Sequence, residues 1–371
     1  MPHRKSLASS LFWIFATLAA IAAPTLPNLF SDHMVMQRDQ SNPIWGSATP
    51  GEALTLHLAG KLVAHATADA SGKFTLTVPA NPAGGPHKIS ITSSDGAATI
   101  SDVYFGEVWL CSGQSNMQWS IRQSANAAQE AANAKHPLIR HIGVPRKPFD
   151  HPQANQDARW EVCDPAVVPN WSAVAYYFGR HLHQELDGIP IGLIHSSWGG
   201  SRIEPWIAEG DFPADHPHAQ TALKTVREGI PGKPGYDKIA DDYVNKVEAW
   251  LQRTKIARAQ PQSQAVTAPP VWPESLKPVA RRNGPNQQPI VLYNGMIEPL
   301  VPYGIRGALW YQGESNHSQP DAYVHMKHWL VNGWRKRFGN DFPFYFVQIA
   351  PFNYGNENPE ALPLFWEAQQ Q

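Results

Sequence analysis

The chain has 371 residues with 30 basic and 31 acidic side chains, a net charge of −1. So neutral a surface has no field to gather phosphates or an anionic membrane, which argues against nucleic acid as a partner. Charged residues make up 16% of the chain, against roughly 25% in average usage, while Trp is plentiful at 14, a composition suited to a polar, uncharged ligand such as a sugar.

His3, Arg4 and Lys5 form a basic start, and Leu11 to Phe15 open an apolar run that continues to Ala23. Ala20-Ile21-Ala22 offers a small-residue cleavage site, and the run is shorter than the roughly 20 residues of a comfortable membrane span. Residues 1–22 therefore read as an export signal, and the mature protein as extracytoplasmic with no membrane segment.

Residues 28–105 look all-β. The stretches Ala53 to Leu58 and Lys73 to Val78 alternate apolar and polar side chains, Ile89 to Thr92 follows, and turns such as Asp69-Ala70-Ser71-Gly72 separate them. Short strands at close spacing predict a small β-sandwich domain with nothing catalytic in it. From Gly106 the pattern changes to strands alternating with helices. Val108 to Cys111, Ile189 to His195, Ile305 to Tyr311 and Phe344 to Ile349 read as buried strands. Helices are expected from Ser172, a plausible N-cap, to about Leu186, and from about Ala322 to Phe338. This alternation predicts a parallel, doubly wound α/β sheet over residues 106–371. Tyr236 to Arg258 reads as a polar helix with Val244, Val247, Trp250 and Leu251 on one face, and 259–289 as a Pro-rich surface loop, either a plain excursion, the preferred reading, or a segment that overhangs the active site.

Cys111 and Cys163 are the two cysteines, so this is not a disulfide scaffold; whether they pair is left open. Neither has a metal-like partner spacing, and His181-Leu182-His183 and His216-Pro217-His218 lack accompanying ligands, so no metal or other cofactor is expected.

The chemistry concentrates in three blocks, each directly after an expected strand. Gly113-Gln114-Ser115-Asn116-Met117 sets a serine in a small-residue turn, where a nucleophile belongs in an open α/β sheet. It is not the Gly-x-Ser-x-Gly elbow, because Met117 replaces the second glycine. Ser196-Ser197-Trp198-Gly199-Gly200-Ser201 provides glycines whose backbone N–H groups can face a cleft, and Gln312-Gly313-Glu314-Ser315-Asn316 provides two side-chain amides able to donate to an oxyanion. Ester hydrolysis by serine needs a nucleophile, a base, and such donors. The bland readings are a Ser/Asn turn capping a helix and a glycine turn chosen for steric reasons.

With these blocks, and with Val35-Met36-Gln37-Arg38 and Pro43-Ile44-Trp45-Gly46 near the start, the chain resembles the sialate O-acetylesterase branch of the SGNH (GDSL-like) hydrolases, carbohydrate acetyl esterases related to acetylxylan esterases. The resemblance implies a flavodoxin-like, three-layer hydrolase domain behind an N-terminal β-domain, and metal-free removal of O-acetyl groups from sugars outside the cytoplasm. It implies Ser115 as nucleophile and first oxyanion donor, Gly199 or Gly200 as second donor, and Gln312 as third with Asn316 the runner-up. Gln114, Asn116 and Glu314 support these, Glu314 ordering its loop rather than moving protons.

The family's base is a histidine in an Asp-x-His motif after the strand and helix that follow the third block. This sequence reaches Gln371 with Leu362, Leu364, Phe365 and Trp366 as an apolar group and no such motif. The expectation is a C-terminally incomplete hydrolase domain, inactive unless a base such as His195 or His317 serves. The alternatives are a sugar-binding protein that kept the cleft and lost its base, an acetylxylan esterase-like or other SGNH esterase, and a peptidase or lipase on the same fold.

Overall fold

The computed structural model describes residues 23–259, 267–355 and 358–371. The expected export signal and residues 260–266 of the Pro-rich stretch lie outside the described residues.

The N-terminal part is built from β1 (Val35–Gln37), β2 (Asn42–Ser47), β3 (Ala53–Leu58), β4 (Lys61–Thr67), β5 (Lys73–Val78), β6 (Gly84–Ser93) and β7 (Gly96–Gly113). The alternation seen in the sequence is realised directly: Leu54, Leu56 and Leu58 on β3, and Phe74, Leu76 and Val78 on β5, are buried, with their neighbours turned outward. β2 and β5 pair antiparallel, β4, β3, β6 and β7 form a second antiparallel sheet, and β1 joins β7 in parallel. Apolar side chains of both sheets share one buried cluster.

β7 belongs to two environments. Its first half pairs antiparallel with β6 and alternates buried with exposed residues. From Phe105 to Gly113 every residue is buried, because here the strand enters a sheet covered on both faces.

The remaining elements are α1 (Ser115–Gln118), α2 (Ala127–Asn133), β8 (Ile139–Gly143), β9 (Glu161–Val162), α3 (Ala173–Glu185), β10 (Ile191–Ser197), α4 (Pro217–Gly229), α5 (Pro234–Ala259), β11 (Gly307–Tyr311), α6 (Pro320–Phe338), β12 (Phe344–Phe346) and α7 (Ala361–Gln370). Ser172 caps α3 as expected, accepting from Ala175 N–H at 3.1 Å. β8, β10, β7, β11 and β12 lie side by side in parallel, with β9 antiparallel at the β8 edge. The flavodoxin order places a sheet's first strand between its second and third; here β10, the third, lies between β8 and β7. Hydrophobic runs announce strands, but their lateral order depends on non-local pairing that no run encodes.

Alternate residues of these strands feed two separate clusters. Val108, Leu110, Ala308 and Trp310 pack toward α6, whereas Trp109, Cys111, Leu193 and Leu309 pack toward α3. Cys111 and Cys163 are both buried free thiols, and burial raises the Cys163 thiol to about 11.

α5 is the polar helix expected there, with Val244 and Leu251 51% and 42% exposed. Of the C-terminal apolar group, Phe365 on α7 is wholly buried, its ring 4.6 Å from that of Tyr323 on α6, while Leu364 stays 47% exposed. Among the described residues no helix is long and apolar enough to cross a membrane.

Candidate active site

Three strands end in one row. Gly113 stands opposite Ser197 on one side and Tyr311 on the other, so the three sequence blocks leave the sheet side by side at its carboxyl edge. Backbone bonds stitch the exits together: Gln114 N–H donates to the Tyr311 carbonyl (2.9 Å) and Trp198 N–H to the Gly113 carbonyl (3.1 Å). Only glycine fits at 113. Its φ is +138°, and a Cβ there would lie 2.1 Å from the Tyr311 carbonyl oxygen.

Ser115 opens α1 and is exposed, while Met117 is buried behind it and accepts from the Ser172 hydroxyl at 3.6 Å. The first N–H groups of a helix have no intrahelical acceptor, so the Ser115 amide faces outward with its hydroxyl. Gly199 abuts this residue: a Cβ on it would lie 3.3 Å from Ser115 Cβ. Its N–H donates to Gln118 Oε1 at 2.7 Å. The glycine turn is braced from outside by Asn286, whose Nδ2 donates to the Gly199 carbonyl (2.8 Å), and by Gln287, whose Nε2 donates to the Gly200 carbonyl (3.1 Å). The end of the Pro-rich stretch, expected to be a plain excursion, therefore holds the turn.

The third block is tied to the first. Gln114 Oε1 accepts from Gly313 N–H (3.3 Å) and Ser315 N–H (3.4 Å), and Asn116 Nδ2 donates to Glu314 Oε1 (2.5 Å). Burial pushes the Glu314 carboxyl above the usual carboxylate range, and its Oε2 has no partner among the described residues.

Gln312 and Asn316 are placed differently from expectation. Gln312 is wholly buried, and its Nε2 donates to the Ser201 carbonyl (3.2 Å) and to Asn316 Oδ1 (2.8 Å). Asn316 also accepts from Ile203 N–H (2.9 Å) and donates to Glu204 Oε2 (3.2 Å). Both amide hydrogens of Gln312 are engaged, so neither residue points a ready donor at Ser115; a buried amide takes partners from the protein around it. Arg202 completes the network, pairing with Glu204 Oε1 (2.9 Å) and donating to the Ser315 carbonyl (3.1 Å).

Of the two histidines, His195 bonds Ser197 Oγ through Nε2 (2.7 Å), and burial beside His141 lowers its pKa to about 3. His317 has Nδ1 2.6 Å from the Glu314 carbonyl, which can only accept, so Nδ1 carries the proton; its ring stacks on Tyr354. Among the described residues no group of three or more His, Cys, Asp or Glu is placed to hold a metal ion.

Gln118, Arg202, Glu204, Asn286 and Gln287 escaped the sequence reading. Gln118 lay within reach of it, three residues after Ser115 and hence on the same helix face. The other four act through contacts across about 85 to 115 positions, which spacing cannot show.

A family model for carbohydrate esterase, sialic acid-specific acetylesterase, matches residues 105–228. Sialate O-acetylesterase of Mus musculus is 30% identical over 361 residues, covering 90% of this chain and 61% of the relative. The Homo sapiens sialate O-acetylesterase is 30% identical over 353 residues, covering 86% and 56%. The chain thus spans about three fifths of the length of these curated relatives. The crystal structure of a carbohydrate acetylesterase from Xanthomonas citri superposes with a TM-score of 0.72 at 29% identity, over 94% of this chain and 66% of that one. The family model, these relatives and the like-folded esterase agree: residues 105–228 match the sialic acid-specific acetylesterase domain of carbohydrate esterases, and the chain over 90% of its length is similar to sialate O-acetylesterases.

Proposed function

We propose that this protein removes O-acetyl groups from sugars with Ser115 as nucleophile. The observation that supports the reading is the close packing of Gly199 against the exposed Ser115, which brings two post-strand turns together at the sheet edge. Ser115 Oγ attacks the acetyl carbonyl and gives its proton to a base. The sugar hydroxyl leaves with that proton, and water then releases acetate from the acetyl-serine. The Ser115 and Gly199 N–H groups receive the developing oxyanion. Gln118 Oε1 occupies the Gly199 N–H in the resting protein, so the substrate oxygen displaces it. Gln312 becomes a third donor on exchanging its longer bond, to Ser201, for one to that oxygen. His195 is unsuited as base, being turned to Ser197 and weakly basic; His317, anchored through Nδ1, has the tautomer that a base needs.

Trp119, 48% exposed just after α1, gives a flat apolar face of the kind sugars stack on. The shared apolar cluster of the N-terminal sheets supports the sandwich reading, with the hydrolase domain beginning within β7. The basic, apolar and small-residue order of residues 1–22 supports export.

The test is acetate release from O-acetylated sugars and aryl acetates by the parent and Ser115→Ala. Ser115→Ala should lose more than about 10³-fold in kcat/KM. Retention of most activity sinks Ser115 as nucleophile, and sugar binding without turnover in the parent favours the binding-protein reading instead.

A further inference from the structure

A cavity of about 620 Å³ opens beside the candidate site, between α4, residues 287–289 and the start of α6. It touches the site through Gln287, which holds the Gly200 carbonyl, and Arg202, which holds the Ser315 carbonyl. Most of its polar wall is uncharged: Thr221, Thr225, Gln287, Gln288, Ser318 and Gln319. Between these lie small apolar surfaces from Ala222, Pro289 and Met326. Amides and hydroxyls match the hydroxyl groups of a sugar in both donor and acceptor sense, and the apolar surfaces match its C–H faces.

Arg202 and Glu204 on this wall pair with each other, Arg202 Nε and Nη2 bonding Glu204 Oε1 at 3.0 and 2.9 Å, so their charges cancel. Asp321 is the acidic lining residue outside that pair, and His218 is the other basic side chain among the described lining residues. A sugar carboxylate placed here would meet the Asp321 carboxylate and no unpaired arginine or lysine, an arrangement that disfavours it.

We propose that this cavity binds the sugar portion of the ester and selects neutral O-acetylated glycosides over acidic sugars such as sialic acids. The inference rests on the esterase reading of Ser115 and names its substrate class. The experiment compares aryl acetate, an O-acetylated xylo-oligosaccharide and 9-O-acetyl-N-acetylneuraminic acid at about pH 8 with the parent and with Thr221→Trp, an exposed helix position whose larger side chain fills the cavity. The neutral oligosaccharide should exceed the sialic acid ester by at least roughly tenfold in kcat/KM. Thr221→Trp should raise KM for the oligosaccharide at least about fivefold more than KM for aryl acetate. Preference for the sialic acid ester, or equal KM changes for both neutral probes, overturns the proposal. No aryl acetate hydrolysis by the parent counts against the esterase reading instead, and calorimetric titration with the oligosaccharide then decides the cavity. Binding that Thr221→Trp weakens supports it, and no binding overturns it.

Discussion

Removing the side chain that occupies the Gly199 amide tests whether that amide serves the substrate. In Gln118→Ala the 2.7 Å bond from Gly199 N–H disappears, but the turn keeps its other supports. Asn286 and Gln287 still hold the carbonyls of Gly199 and Gly200 at 2.8 and 3.1 Å, and Trp198 N–H still bonds Gly113. A neutral hydrogen bond at such a site is worth about 0.5–1.5 kcal/mol net. A substrate oxygen that displaces Gln118 forfeits that amount, so at about 1.4 kcal/mol per tenfold the substitution should lower KM by roughly two- to tenfold. The turnover number should stay within about twofold, since the donor in the transition state is unchanged. Gln118→Glu is the opposite perturbation: a carboxylate holds the amide more firmly, by about 1.5–3 kcal/mol, and repels the oxyanion, so KM should rise and kcat fall. Initial rates on an aryl acetate and an acetylated sugar supply both constants. A raised KM or a kcat reduced more than about tenfold in Gln118→Ala would refute the reasoning, making Gln118 a support of the turn.

Gly113→Ala puts a Cβ against a backbone oxygen at positive φ and should cost about 3 kcal/mol or more in denaturant unfolding; an unchanged midpoint would contradict the packing described. His195 is neutral when folded because burial lowers its pKa to about 3, whereas unfolded it protonates below about 6.5. Stability should therefore fall as pH drops from 6.5 toward 3, by at most about 1.4 kcal/mol per unit from this group, and His195→Gln should flatten that slope. Glu314 is raised by burial, so the stability it contributes while protonated is lost as pH rises; Glu314→Gln should gain on the parent at pH 8 relative to pH 4, and equal pH dependence would disprove it. Phe365→Ala should cost about 3–5 kcal/mol, measured by thermal melts, because the ring fills space between Tyr323 and Gly313.

What the sequence disclosed follows from how local each cause is. Strands β3 and β5 coincide with their alternating runs because solvent on one face and core on the other impose period two along the chain itself. Ser172 was readable as a cap because its partner, Ala175, is three residues away. The Gly113 turn was readable because a residue at positive φ pressed against a neighbouring strand's backbone must be glycine. By contrast, the place of β10 between β8 and β7, the covering of Phe365, and the hold of Asn286 on Gly199 are all decided by residues distant in sequence. On α5 the polar composition was the guide: the helix forms as its spacing indicates and packs no buried face.

Gln312 shows the same divide within the site itself. Residue type and loop position make it an oxyanion donor, yet in the folded chain its amide joins the third block to the second, bonding the Ser201 carbonyl just past the glycine turn and the Asn316 side chain that fixes Ile203. Arg202 returns a bond from the second block to the Ser315 carbonyl, and Glu204 receives Asn316. The backbone of the glycine turn is thus held against Ser115 by buried polar bonds, and in the esterase reading proposed above only the Gln118 side chain has to move to free the Gly199 N–H. The network is incomplete at one atom, Gln312 Oε1, buried without a partner among the described residues. An unpaired buried acceptor costs about 1–3 kcal/mol, and natural proteins keep such defects where function requires them. In the esterase reading proposed above, Gln312 gives up no bond from Oε1 when its amide turns from Ser201 toward the oxyanion.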